Sequence, residues 1–138
     1  MQYILLIMLF YPILIILSIF RKNKNKTLVI QTAKIGDYVN SSVIFQKLST
    51  FNIIIDKINY EFAINDNRIK NIYIINNYKK GINRYKLAFK LFWNNYENAY
   101  ILMPNSLNLF LAQMSFAKNK TTLWHYNNKW YEKIKLFK

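Results

Sequence analysis

The first eighteen positions after Gln2 are almost without polar side chains. Tyr3 to Phe20 carry no charge, and only Pro12 and Ser18 interrupt the apolar run. As a helix it would extend about 27 Å, close to the roughly 30 Å hydrocarbon thickness of a bilayer. A proline kinks such a helix without forbidding it. The run therefore predicts a transmembrane anchor, with the basic stretch after it, over residues 1–26. Basic residues follow the run rather than precede it, and no small-residue cleavage site appears, which distinguishes it from a cleaved secretory signal. Arg21, Lys22, Lys24 and Lys26 then place the body on the cytoplasmic side of an inner membrane, in a single-pass arrangement.

Beyond Lys26 the pattern changes repeatedly. Short apolar runs at 27–31, 51–56, 71–76, 99–103 and 121–126 read as strands. Between them, helical stripes run from Asp37 through Val39, Val43, Ile44 and Leu48. Others lie around 60–64, over 84–96 with Leu87, Ala88, Leu91 and Phe92, and over 106–117 with Leu107, Phe110, Leu111 and Met114. Strands alternating with helices predict an α/β fold: a doubly wound parallel sheet occupying residues 27–138.

Composition narrows the chemistry. The chain has no cysteine, which excludes disulfides and thiolate metal sites. The net charge of +14 invites nucleic acid as a partner. Yet four of the cations follow the apolar run, and the others are scattered instead of forming an arm or stripe. An anionic membrane surface or a phosphorylated acceptor is the expected counterpart, and nucleic acid is not. Neither a G-x-G-x-x-G fingerprint nor a phosphate-binding G-x-x-x-x-G-K-[ST] loop occurs, which argues against a dehydrogenase or an NTPase. No metal-ligand spacing is present. His125 has no carboxylate or cysteine near it in sequence, and Trp124, Tyr126, Trp130 and Tyr131 form an aromatic cluster near the end.

In an open parallel sheet, ligands bind beyond the carboxyl ends of the strands. The first such end is QTAKIGDYVNSS, residues 31–42. Gly36 suits a tight turn, and Asp37 stands at the start of the following helix. Asp37 has two readings, a helix N-cap or a general base that deprotonates an acceptor hydroxyl.

The segment KTLVIQTAKIGDYVNSSVIFQKLS, residues 26–49, resembles the amino-terminal signature of family 9 glycosyltransferases, the heptosyltransferases of lipopolysaccharide core assembly. Residues 51–76 and 97–126 are similar to that family's later strands and helix. The resemblance implies the amino-terminal, acceptor-side half of a two-domain GT-B fold and inverting sugar transfer from a nucleotide-sugar, with no metal or other cofactor. It implies Asp37 as catalytic base, with Thr32, Ala33, Lys34 and Gly36 bordering the acceptor, a lipid-linked or cell-surface glycan. Lys34 would meet an acceptor phosphate or carboxylate. The family's donor-binding second domain has no counterpart in these 138 residues, so the expectation is a truncated form, or one completed by a separate chain. The alternative is a non-catalytic, membrane-anchored α/β binding module.

Overall fold

The computed structural model describes residues 2–21 and 25–123. In chain order the elements are α1 (Gln2–Ser18), β1 (Lys26–Gln31), α2 (Ile35–Phe45), β2 (Phe51–Ile55) and α3 (Tyr60–Ile64). They continue with β3 (Ile69–Ile74), α4 (Asn83–Trp93), β4 (Tyr96–Ile101), α5 (Ser106–Met114) and β5 (Asn119–Thr122). The strands form one sheet in the order β3-β2-β1-β4-β5, and every pairing is parallel.

β1 lies at the centre because its apolar run suits both faces. Leu28, Val29 and Ile30 are fully buried, and the two-residue strand period sends them to opposite sides. Leu28 and Ile30 join Ile54, Ala99 and Ile101 in one core. Val29 joins Ile53, Ile55, Tyr38 and Phe45 in the other. Helices therefore cover both faces, α1, α4 and α5 on the first and α2 and α3 on the second. This is the doubly wound α/β arrangement that the alternating pattern predicts.

Several boundaries differ from expectation. The helix expected over 84–96 ends at Trp93, because Asn95 takes a left-handed backbone (φ 56°), a conformation asparagine tolerates after a helix end. Tyr96 then opens β4 at once. Its hydroxyl is buried and accepts a hydrogen bond from Asn52 Nδ2 (2.8 Å), and burial pushes its pKa upward. The fifth strand is Asn119–Thr122. Trp124, His125, Tyr126, Trp130 and Tyr131 lie outside the described residues, as do Lys22 and Lys24.

The largest difference from expectation concerns the apolar run. The apolar run forms a 17-residue helix, about 25 Å long. Among the described residues no helix is long and apolar enough to cross a membrane. One side of α1 instead belongs to the domain. Leu14 is only 3% exposed and sits in the core, with Tyr3, Leu6, Ile7 and Leu17 packed against it. Tyr3 stacks on Phe110 of α5 (ring centroids 5.0 Å apart), and Tyr11 meets Phe116 (5.4 Å). The reason is α5 itself: every residue from Asn108 to Met114 is buried. A helix buried around its circumference must be covered on every side. The sheet covers one side of α5 and α1 the other.

This packing separates two α1 leucines. Leu14→Ala is expected to lower unfolding stability by about 2–5 kcal/mol, whereas Leu9→Ala, at a position 66% exposed, stays within about 0.5 kcal/mol. Urea unfolding of the two variants checks this; equal, negligible effects would show α1 detached from the domain.

Candidate functional site

The strand order places the site. The chain runs outward from β1 through β2 to β3, then crosses back to β4 on the other side of β1. The connection after β1 leads to α2, which covers one face. The connection after β4 leads to α5, which covers the other. Two neighbouring loops that part to opposite faces leave a crevice at the carboxyl edge, the topological switch point of such sheets. The pairing of β1 with β4 persists to the crevice floor, where Leu102 N donates to the Ile30 carbonyl (2.9 Å).

Three buried amide side chains hold the loop at this edge. Gln31 ends β1 and is 2% exposed. Its Nε2 donates to the Asp37 carbonyl (3.0 Å) and to Ser41 Oγ, while its Oε1 accepts from Ala33 N (3.4 Å). Asn59 Nδ2 donates to the Ala33 carbonyl (2.8 Å). Asn108 Nδ2 donates to Thr32 Oγ1 (2.6 Å) and to the Met103 carbonyl (2.7 Å). Their amide N–H groups tie the loop into one geometry, while Asn59 Oδ1 and Asn108 Oδ1 are buried without a hydrogen-bond partner among the described residues. None of the three was expected to take part. In the sequence, the available signals were a glutamine closing an apolar strand and an asparagine among the leucines of a helical stripe.

Thr32, Ala33, Lys34 and Asp37 line two hollows at this edge, whereas Gly36 lines neither. One, of ≈ 460 Å³, is lined by Gln31, Ala33, Asp37, Ser41 and Met103 among others. The second, of ≈ 420 Å³, is lined by Thr32, Ala33, Lys34, Asp37, Asp56 and Met103 among others. Asp37 borders both. Thr32 and Ala33 are engaged by the amide clamps, whereas Lys34 and Asp37 are exposed.

Two details of the sequence reading change. The N-cap of α2 is Lys34, in extended backbone and without a side-chain capping bond, so Asp37 is the third residue of the helix and not its cap. Its carboxylate lies in the first turn, where the helix dipole favours negative charge. It makes no hydrogen bond or ion pair among the described residues. Gly36 is likewise a helical residue, not a turn glycine. No positive φ is recorded for it, and a Cβ there would meet nothing within 4 Å. The space above its backbone is open.

Asp56, on the far side of the second hollow, is committed to structure. Its Oδ1 accepts from Ile58 N (3.3 Å) and its Oδ2 pairs with Lys79 Nζ (3.2 Å). Desolvation pushes its pKa upward, but the Ile58 amide and Lys79 outweigh it, and the carboxyl titrates below its usual range. Asp56 therefore stays ionised as a loop cap, which leaves Asp37 as the uncommitted carboxylate of the crevice. Among the described residues no group of three or more His, Cys, Asp or Glu is placed to hold a metal ion.

Two substitutions test the clamp and the open glycine. Gln31→Leu removes the donor to Ser41 Oγ and one of two side-chain donors to the Asp37 carbonyl, which Ser41 Oγ still reaches (2.7 Å), and is expected to cost about 1–3 kcal/mol. Gly36→Ala is expected to stabilise by about 0.4–1 kcal/mol, because the helical backbone accepts alanine and the unfolded chain loses freedom. Both are read from urea denaturation midpoints at constant slope.

Comparison with protein-family models, with curated proteins and with solved structures finds no match to this chain.

Proposed function

We propose that this domain is the acceptor-side half of an inverting glycosyltransferase, heptosyltransferase-like, acting on a lipid-linked or cell-surface glycan at the cytoplasmic face of a membrane. The observation that carries the proposal is an uncommitted, solvent-reachable carboxylate, Asp37, at the switch-point crevice of a parallel sheet. The residues beside it are those of the resemblance. The backbone of Asp37 is pinned by Gln31, so the carboxylate is presented from a fixed helix start.

In this reading the acceptor hydroxyl lies against Asp37 and Lys34 receives an acceptor phosphate or carboxylate. Asp37 takes the hydroxyl proton as the oxygen attacks the anomeric carbon of the donor sugar. The bond from that carbon to the nucleotide diphosphate breaks, and the diphosphate leaves with the electron pair. Inversion follows from attack opposite the leaving group. The open backbone at Gly36 and the uncapped first turn of α2 offer amide donors to the acceptor. The nucleotide-sugar is held by a second α/β domain, supplied by a separate chain or by further sequence.

The test is transfer of a labelled sugar from a nucleotide-sugar to a lipid-linked acceptor, by the protein together with a donor-binding half. Asp37→Asn is expected to reduce kcat by about 10²–10⁴, and Lys34→Ala to raise the acceptor KM with little change in kcat. Full activity of Asp37→Asn would remove it from the mechanism. Acceptor binding without transfer from any nucleotide-sugar would make the domain a binding module.

A further inference from the structure

The outward side of α1 is an unpartnered apolar surface. Leu5, Met8, Leu9, Ile13, Ile16 and Ile19 are all between 50% and 78% exposed. Water is a poor counterpart for so much contiguous apolar area. What covers it is indicated by the charges around it. α1, α4 and α5, the three helices on this face, contain no aspartate or glutamate. The helices of the opposite face carry Asp37 and Glu61. α4 meets α1 at both ends, through Arg84 Nη1 donating to Tyr3 Oη (2.9 Å) and Arg21 stacking 4.4 Å over Phe92. Its exposed side adds Phe89 and Trp93 with Lys86.

At the carboxyl end of α1 lies a hollow of ≈ 380 Å³, at the opposite edge of the sheet from Asp37. Its lining includes Ser18, Arg21, Lys118 and Lys120 and no carboxylate. Arg21 Nε donates to Asn95 Oδ1 and its Nη2 to the Ser115 carbonyl (3.5 Å), and Lys120 Nζ donates to the Ala117 carbonyl (2.8 Å). These bonds orient the cations and leave further donors of each group unused. Among the described residues neither Arg21 nor Lys120 has an acidic partner. Burial pushes both pKa values downward, as it does where a cation is desolvated without a counter-ion.

We propose that the outer face of α1 lies in the plane of an anionic bilayer, with its apolar side chains at the acyl boundary, while Arg21, Lys118 and Lys120 receive a lipid phosphate. A free interfacial helix needs a polar side toward water. Here that side is replaced by the domain on which α1 is docked. An in-plane helix keeps its packing on α5, whereas a spanning one would strip it. A second copy is a poor occupant, because each chain carries +14 and like charges oppose association. The proposal deepens the membrane location and is independent of sugar transfer, since vesicle binding is read without any donor or acceptor.

The absence of cysteine makes single-cysteine labelling clean. Leu5→Cys, Leu9→Cys and Ile16→Cys variants of the full chain carry a fluorophore whose depth is measured with quencher-bearing lipids. The expected result is one shallow depth for all three. Binding to vesicles containing phosphatidylglycerol should be at least tenfold tighter than to pure phosphatidylcholine, and Lys118→Glu should weaken it about fivefold or more. A label at Leu9 reaching the bilayer centre with the other two shallow would overturn the in-plane geometry. Equal binding to both vesicle types would overturn the phosphate site. Saturable binding of inorganic phosphate with no affinity for vesicles would assign the hollow to a soluble phosphate, and self-association without vesicle binding would assign the face to a second copy.

Discussion

Everything on one face of this protein depends on covering α5. The segment Asn108–Met114 is buried along its whole length, its polar Asn108 and Gln113 included, so a sheet on one side is not enough to cover it. α1 supplies the second wall, and the interlock is aromatic: Tyr3 on Phe110, Tyr11 on Phe116, and, just beyond the helix, Arg21 over the neighbouring rings of Phe92 and Phe116. Phe116 holds a left-handed backbone (φ 53°) after the end of α5, a conformation costing about 1 kcal/mol for a residue with a side chain. Packing against α1 and α4 offsets that cost. The terminus of α1, the ends of α4 and α5 and the start of β4 are thereby one unit.

At the carboxyl edge the constraint is polar. Gln31, Asn59 and Asn108 reach the loop from β1, from the turn before α3 and from α5, so both cores take part in positioning it. The loop carrying Thr32 and Ala33 spends its hydrogen bonds on these clamps, while Lys34 and Asp37 remain free to meet a ligand. A rigid backbone that presents uncommitted charged groups is the arrangement a binding or catalytic edge needs.

The sheet was legible in the sequence because its strands are short, apolar and buried on both faces, and β1 shows this best. Helix ends were less so: nothing in NNYEN announces that Asn95 would turn left-handed and release Tyr96 into a strand. The position of Asp37 was readable, but the expected N-cap role fails, since Ile35 and Gly36 join the helix ahead of it and Lys34 is the N-cap. The clamps of Asn59 on Ala33 and of Asn108 on Thr32 were not legible because those partners are distant in sequence, and those of Gln31 because they depend on how the β1–α2 loop folds back. The packing of the apolar run on α5 was not legible for a physical reason. A segment hydrophobic all round satisfies a bilayer and a protein interior equally, and only the uncovered circumference of α5, some ninety positions away, distinguishes them.

That separation along the chain has a consequence for biosynthesis. α1 leaves the ribosome first, but the helix it must cover begins at Ser106. At bacterial-type elongation rates the interval is roughly 5–20 s. Throughout it the apolar side chains of α1 that pack on α5 have no partner helix, so this core closes only late in synthesis.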